Sequence, residues 1–290
     1  MSEAPAATGP VVVIAGGGAL PDILLTALAR ESRTHRILAL RGFADRALKR
    51  RADAVVNILD IAGALECLAR WEPAAVCLAG AVTRPQPAAF FGALAAFRNS
   101  AELKQLMARG DDHLLRAVVS MLEEHGHHVV GAHDIAPDLL AAPGLLGSVA
   151  VPDTVTASIR TGFRCLADLS PYDIGQGLVV HGERVTAIEG AEGTDRMLMR
   201  AASLSRGFLL RPAKTGGVLV KSAKRGQERR VDLPAVGPRT VTRAVSAGLA
   251  GIAIGAGQVL VVEREKMIAE ANRCGLFLAA FDPEEQVAAS

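Results

Sequence analysis

The chain has 290 residues and a formal net charge of +2, with half of its residues hydrophobic and only 3% aromatic. This length and apolar content allow two domains with buried cores, whereas so few aromatic side chains argue against a stacking surface for nucleic-acid bases. No apolar run approaches the roughly 20 residues needed to span a bilayer, and the residues before Val11 resemble neither a signal nor a transit peptide, so we expect a cytoplasmic protein.

The first half of the chain alternates short apolar runs with helical periodicity. The predicted strands are Val11–Ala15, Arg36–Leu40, Ala54–Ile58, Ala75–Ala79 and His128–Gly131. The predicted helices include Leu20–Glu31 and Asp111–Glu124. Strands that alternate with helices favour a Rossmann-like parallel sheet with helices on both faces. Ligands of such sheets usually bind beyond the carboxyl ends of the strands.

The second half has a less regular pattern. Residues Asp134–Asp153 are rich in Ala, Pro and Gly, and we interpret them as a linker between domains at residues 1–150 and 151–290. A predicted hairpin around Gly182-Glu183, with further strands interleaved with helices, favours a mixed α/β domain. The predicted strands are Gly177–His181, Val185–Glu189, Gly217–Lys221, Gly251–Ile254, Val259–Val262 and Leu276–Phe281, and the predicted helices are Thr154–Asp168, Asp195–Arg206, Arg239–Gly248 and Glu263–Arg273.

A glycine loop connects the first strand to the first helix. Gly16, Gly17, Gly18 and Ala19 let the backbone approach a ligand closely, and the helix that follows offers unpaired amides to a phosphate. A dinucleotide site would need a third glycine at Pro21 and an acid near the end of the second strand, and both are missing. The loop therefore favours a phosphate or nucleotide over NAD(P) or FAD, with a tight turn that binds nothing as the remaining alternative.

Two other segments of the first half contain polar residues that are candidate ligands. Thr83 and Arg84 follow a predicted strand, where Arg84 is either a phosphate ligand or an ordinary surface residue. Asp111 and Asp112 open a predicted helix, either as its N-cap or as ligands of a cation.

The second half contains polar residues at the start of its hairpin and of its first long helix after the hairpin. Gln176 lies in the sequence DIGQG at residues 173–177, directly before the hairpin. Glu192, Thr194 and Asp195 lie in the sequence EGTD at a helix start. Thr194 is a natural N-cap there, while the two acids are interpreted either as part of that cap or as groups that hold Mg²⁺ or position a water.

The segment from Lys221 to Asp232 combines five basic residues with an aspartate placed directly before Leu-Pro. Cleavage of a phosphoanhydride needs cations near the developing charge and an acid that holds a metal or orients water. Lys221, Lys224 and Arg230 are therefore candidate phosphate ligands. Asp232 is a candidate catalytic acid, with a simple ion pair as the alternative.

Basic residues are concentrated in two longer segments. From Arg196 to Arg243 there are 12 Lys or Arg residues against two acids, and from Arg30 to Arg51 there are eight against two. Such segments are either solvated faces or surfaces that attract phosphates or an anionic membrane. No nucleic-acid-binding motif accompanies them, so no nucleic-acid partner is expected.

Taken together, six motifs in order along the chain resemble the LpxI family. They are IAGGGALP at residues 14–21, GDDHLLR at 110–116, GAH at 131–133, DIGQG at 173–177, EGTD at 192–195 and RVDLPAVG at 230–237. Each motif is weak alone, but the series is specific and extends from Val11 to about Pro283. One departure is Arg225, which stands where relatives commonly have proline in a Lys-Pro-Gly-Gln sequence.

The resemblance implies a two-domain, homodimeric hydrolase of lipid A assembly that associates peripherally with the inner membrane. It implies cleavage of UDP-2,3-diacylglucosamine into UMP and 2,3-diacylglucosamine 1-phosphate, with water attacking the β-phosphorus. It also implies dependence on Mg²⁺ (with Mn²⁺ as a substitute), a substrate held between the domains, and an essential acid at Asp232.

Combining the resemblance with the residues gives a hypothesis for the site. Asp232 and Asp195 are the expected catalytic residues, and both are expected to hold the metal together with Glu192. The expected substrate-binding residues are Gly16, Gly17, Gly18, Ala19, Thr83, Arg84, Asp111, Asp112, Gln176, Thr194, Lys221, Lys224 and Arg230. The alternatives are a module that binds a nucleotide sugar without catalysis, which turnover would exclude, and an NAD(P)-dependent oxidoreductase, which would require stabilisation by NAD(P)H.

Overall fold

The computed structural model describes residues 9–82, 111–206 and 216–288, although not the side chains of residues 111–114 and 205–206. The described residues form two compact units. The first contains the residues up to Pro137 together with the short segment Glu228–Asp232. The second contains Asp138–Gln227 and the residues from Leu233 onward, so residue 150, the boundary expected from composition, falls within it.

The first unit is an α/β fold with five parallel strands. Its strands are β1 (Val11–Ala15), β2 (His35–Leu40), β3 (Ala54–Val56), β4 (Ala75–Ala79) and β5 (Val129–Val130). Its helices are α1 (Leu20–Arg30), α2 (Arg46–Arg51), α3 (Ile61–Trp71), α4 (Asp111–Glu124) and α5 (Ala132–Ile135). The strands lie in the order β3-β2-β1-β4-β5, and all pairs are parallel. The strand order therefore reverses between β1 and β4, the place where doubly wound sheets bind ligands.

The burial of the strands in this unit explains why their sequences are continuously apolar. Val12, Leu38 and Val76 lie on three neighbouring strands and are fully buried, as is Leu68 of α3. Strands covered on both faces need apolar residues at every position, in place of the alternation seen in half-exposed sheets. Burying each of these side chains contributes about 1.5–3 kcal/mol.

The second unit is built on a mixed sheet of six strands with a separate pair of short strands. Its strands are β6 (Gly144–Leu145), β7 (Gly177–His181), β8 (Arg184–Ile188), β9 (Gly217–Lys221), β10 (Ala235–Val236), β11 (Leu249–Gly255), β12 (Leu260–Val261) and β13 (Phe277–Phe281). Its helices are α6 (Thr156–Leu169), α7 (Gly193–Arg206), α8 (Pro238–Ser246), α9 (Arg264–Arg273) and α10 (Pro283–Ala288). The large sheet has the order β6-β13-β11-β9-β7-β8, and β10 pairs with β12.

Both faces of the large sheet are covered. Leu178 and Val180 of β7 pack into the same cluster as Phe163 of α6. Val179 points the other way and packs into the cluster that contains Met197 of α7. This alternation along one strand places helices on both faces and confirms the expected mixed α/β fold. No helix in the ranges that the structure describes is both long and apolar enough to cross a membrane.

The segment expected as a linker, Asp134–Asp153, contains the boundary between the two units, between Pro137 and Asp138, but much of it is folded. Leu139 and Ala141 are buried at 4% and 2% exposure, and β6 within this segment pairs antiparallel with β13. The residues from Asp138 onward are therefore part of the second unit, where they contribute to its sheet and core, whereas residues 134–137 belong to the first unit. Strand β6 has only two residues, which is too few to give a periodic pattern in the sequence. The prediction of a linker therefore depended on the Ala, Pro and Gly content of the segment alone.

Candidate active site

The glycine loop after β1 is tightly packed against the residues after β4. The amides of Gly16 and Gly17 donate to the carbonyls of Ala79 and Ala81 at 2.8 and 2.9 Å. A Cβ on Gly16 would lie 2.8 Å from the carbonyl oxygen of Ala81, so a side chain would not fit. These two glycines join the ends of two strands, and their amides are used by the protein itself.

The next two residues have the features of a phosphate site. Gly18 is exposed, has a φ of +87°, and has open space where a Cβ would be. The amides of Gly18 and Ala19 have no hydrogen-bond partner in the described part of the chain. They precede α1, whose N-terminal turn contains Pro21. This arrangement suits an anion, and the expected contacts of the four loop residues with substrate stay predictions.

The segment Glu228–Asp232 is held on the first unit although its flanking residues belong to the second. Its backbone forms a turn in which the amides of Val231 and Asp232 donate to the carbonyl of Glu228 at 3.3 and 3.0 Å. Val231 packs against the first unit's core. Asp232 is thereby attached, through its own backbone and its neighbour, to the first unit.

Arg230 is the main polar anchor of this segment. Its Nε and Nη2 donate to the two carboxylate oxygens of Glu228, both at 2.9 Å, and its Nη1 donates to Glu123 at 2.5 Å. The Glu228 hydrogen bond, followed by that of Glu123, raises the pKa of Arg230 above its ordinary range. The same bond lowers the pKa of Glu228. The guanidinium predicted as a phosphate ligand is thus already paired with two carboxylates, although some of its five N–H donors are not used by them.

The GAH motif lies beside this segment. A Cβ on Gly131 would approach the Cα of Arg230 to 3.2 Å and the ring of His133 to 2.5 Å. Glycine at this position therefore allows the close approach of the two chain segments. Nδ1 of His133 is buried and has no hydrogen-bond partner within the described ranges.

In the second unit, Lys221 lies at the centre of a buried polar cluster. Its side chain is only 4% exposed, and Nζ donates to Oε2 of Glu189 at 3.2 Å and to Oγ1 of Thr194. Thr194 in turn donates to Oε1 of Glu189 at 2.8 Å. The structure thus brings together two predicted residues, Lys221 and Thr194, around Glu189. No sequence motif pointed to Glu189, because an acid directly after a strand carries no distinctive pattern.

The loop after Lys221 is tied to the residues before β7. The amide of Ser222 donates to the carbonyl of Gln176 at 3.0 Å, and the amide of Arg225 donates to Oγ of Ser170 at 2.6 Å. The ammonium of Lys224 pairs with Asp173. The DIGQG motif and the basic loop therefore meet at one end of the sheet. At the departure from the family pattern, Arg225 uses the amide hydrogen that a proline would lack.

Two of the three acids expected to hold the metal are paired with arginines. Glu192 accepts from Arg200 at 2.7 Å, which lowers the pKa of Glu192, and Asp195 pairs with Arg239. Throughout the residues that the structure describes, no group of three or more His, Cys, Asp or Glu side chains is arranged to hold a metal ion. The expected role of Glu192 and Asp195 as metal ligands stays a prediction.

Four predicted residues cannot be assessed at the side-chain level. Thr83 and Arg84 lie outside the described residues. Asp111 and Asp112 are the first residues of α4, in agreement with the predicted helix start, but their side chains are not described. Their expected contacts with substrate stay predictions.

Both units of the chain match models of known protein families. The family models described as the LpxI N-terminal domain and the LpxI C-terminal domain match residues 10–139 and 142–279. The chain is 39% identical over 274 residues to UDP-2,3-diacylglucosamine pyrophosphatase LpxI of Caulobacter vibrioides, an alignment that covers 94% of this chain and 98% of that protein. The chain belongs to the LpxI family.

Proposed function

We propose that this protein is a pyrophosphatase that hydrolyses the diphosphate of UDP-2,3-diacylglucosamine to UMP and 2,3-diacylglucosamine 1-phosphate. The observation that carries this proposal is the 39% identity to a named UDP-2,3-diacylglucosamine pyrophosphatase over 94% of the chain. The matched family models extend over both compact units. They therefore support the proposal for the whole chain and not for one domain alone.

The chemistry of the described residues is suited to a diphosphate. The amides of Gly18 and Ala19 precede a helix and have no protein partner in the described ranges. Lys221 is a buried ammonium whose direction is set by two hydrogen bonds. Preorganised donors of this kind stabilise charge that develops on phosphoryl oxygens without reorganising during the reaction. We assign Asp232 to orient the attacking water.

Magnesium is part of the proposal in a specific form. Mg²⁺ usually keeps several waters and binds through one or two carboxylates together with the phosphates of its substrate. Such a site needs no cluster of three protein ligands. It is therefore compatible with a structure in which Glu192 and Asp195 are each paired with an arginine. We propose Asp232 as a protein ligand of this substrate-bound ion, which would neutralise phosphoryl charge. EDTA should abolish turnover and Mg²⁺ or Mn²⁺ should restore it, whereas full activity in chelated buffer would contradict the proposal.

We further propose that water attacks the β-phosphorus, next to the sugar. UMP then departs, and the new oxygen remains on the lipid phosphate. Attack on either phosphorus gives the same two products, so only the position of the incorporated oxygen distinguishes the two routes. The proposal rests on the family resemblance.

A diacylated substrate resides at a membrane, and we propose that the protein binds that surface. Helix α2 has the sequence RALKRR, and its Arg46, Arg50 and Arg51 are exposed. Clusters of basic residues attract anionic lipid by about 1 kcal/mol per residue. Co-sedimentation with vesicles of anionic phospholipid should be strong in low salt and weak in high salt, and zwitterionic vesicles should not bind.

We also propose a homodimer, which light scattering after size exclusion would test.

The decisive assay is incubation of the purified protein with UDP-2,3-diacylglucosamine and Mg²⁺, followed by mass analysis. UMP and 2,3-diacylglucosamine 1-phosphate are the expected products. Tight binding without any product would instead indicate a module that binds nucleotide sugars.

A further inference from the structure

Three residues form a continuous row at one end of the second unit's sheet, one directly after β8, one in β7 and one in β9. Gly177 of β7 lies directly opposite Lys221 of β9 in the antiparallel pair. On the other side of β7, the amide of Glu189 donates to the carbonyl of Gly177 at 2.9 Å. Glu189, directly after β8, and Lys221, in β9, therefore lie on opposite sides of β7.

The side chains of Glu189 and Lys221 meet across Gly177. Oε2 of Glu189 is 3.2 Å from Nζ of Lys221, and a Cβ on Gly177 would lie 2.7 Å from that same oxygen. A side chain at residue 177 would therefore occupy the space through which the carboxylate reaches. The φ angle of Gly177 is not in the left-handed region, so glycine there provides space for the carboxylate and is not needed for backbone freedom.

The hydrogen bonds of the cluster form a closed ring. Lys221 donates to Glu189 and to Thr194, and Thr194 donates its hydroxyl proton to the second oxygen of Glu189. An ammonium has three N–H donors, and two of those of Lys221 are used in this ring. The hydroxyl proton of Thr194 is also used. Within the residues that the structure describes, the third N–H of Lys221 has no acceptor and could serve a ligand.

The ion pair with Glu189 changes the electrostatic contribution that Lys221 can make to the binding of a phosphate. Its side chain is 4% exposed and that of Glu189 is 12% exposed, so the two charges face each other with little solvent between them. The pair carries no net charge and therefore cannot attract a diphosphate as an isolated cation would. It presents instead one N–H donor in a fixed direction.

We infer that Glu189 is a positioning residue that orients Lys221 toward a phosphate of the substrate, and that Gly177 is required to let it do so. Glu189 does not touch the substrate in this account and acts through Lys221 and Thr194. The inference rests on the proposed diphosphate substrate. It assigns a role to the second glycine-rich motif, DIGQG, that is separate from substrate contact.

The test compares Glu189→Gln with Glu183→Gln, an exposed glutamate in the same hairpin. Loss of an oriented charge-assisted hydrogen bond should lower kcat/KM of Glu189→Gln roughly 10- to 100-fold, and Glu183→Gln should match wild type. In a Lys221→Met background, Glu189→Gln should cause no further loss, because it acts through Lys221. Equal kcat/KM for wild type and folded Glu189→Gln would overturn the inference.

A second variant covers the case in which Glu189→Gln does not fold. Gly177→Ala places a methyl group against the flexible end of the Glu189 side chain, while its other neighbours stay at 3.7 and 3.8 Å, so we expect it to fold. Its kcat/KM should fall as in Glu189→Gln with little change in Tm. Wild-type kcat/KM in folded Gly177→Ala would contradict the role of Gly177.

Binding of UDP, followed by calorimetry, separates this inference from the proposed function. If wild type does not turn over the lipid substrate but Glu189→Gln and Lys221→Met each weaken UDP binding, the proposed function fails and the positioning role stands. If turnover is normal in wild type and both kcat/KM and UDP affinity are unchanged in Glu189→Gln, the proposed function stands and the positioning role fails.

Discussion

Arg230 donates a hydrogen bond of 2.5 Å to Glu123, a residue 107 positions earlier in the chain and in the last turn of α4. Together with the bonds from Arg230 to Glu228, this pair holds the segment that carries Asp232 on the first unit. The chain before and after that segment belongs to the second unit. The position of the proposed catalytic acid therefore depends on an ion pair that does not itself need to contact substrate.

Removing Glu123 should loosen this segment. We expect Glu123→Ala to lower kcat by about 10- to 100-fold, because small displacements of a catalytic group cost up to ~10² in rate. The matched control is Glu124→Ala, which removes an exposed acid from the next position of the same helix. Steady-state kinetics that show equal rates for both variants would mean that the ion pair does not position Asp232.

Substitution of Asp232 should affect chemistry more than folding. Asp232→Ala is expected to lower turnover by at least ~10³-fold, as expected for loss of a group that orients water or holds a metal. It is a half-buried residue at the end of a short turn, so the thermal unfolding temperature should change little. Asp232→Asn, which keeps the shape and removes the charge, should be similarly inactive. A near-normal rate in either variant would remove Asp232 from the mechanism.

The Glu228–Arg230 pair predicts how stability depends on pH. Because the hydrogen bond from Arg230 lowers the pKa of Glu228 below its ordinary value of 4.5, the folded state binds that proton less readily than the unfolded state. The stabilisation is therefore fully present above about pH 4.5 and is lost as pH falls through the lower, folded-state pKa.

This prediction can be measured with the chain's single tryptophan, Trp71, which packs on the first unit's core. The difference in unfolding free energy between wild type and Glu228→Gln, followed by Trp71 fluorescence in urea, should shrink as pH is lowered below 4.5. A difference that stays constant between neutral pH and pH 3 would show that this carboxylate is not preferentially ionised in the folded state.

The fold was largely predictable because its strands are buried and bounded by turns. The bounds predicted for β1, β4 and β9 agree with the structure, since a short apolar run between glycines or polar residues is a strong local signal. β6 was missed because pairing with β13, far along the chain, creates a strand of two residues. Such tertiary pairing has no local pattern.

The candidate site was predictable in its chemistry but not in its partners. Lys221, Thr194 and Gln176 were identified from motifs and do lie near one end of the same sheet. The acids that pair with the cations, Glu189 and Asp173, were not assigned, because ion pairing between distant residues cannot be read from spacing. For the same reason, the pairing of Glu192 and Asp195 with arginines could not be predicted.

Hydrolysis of UDP-2,3-diacylglucosamine by attack of water on the β-phosphorus leaves the new oxygen on the lipid phosphate. The most direct measurement is turnover by the wild-type protein with Mg²⁺ in ¹⁸O-labelled water, followed by mass analysis of both products. We expect the label in 2,3-diacylglucosamine 1-phosphate and not in UMP. Label in UMP would contradict attack at the β-phosphorus, and the absence of both products would contradict the pyrophosphatase activity itself.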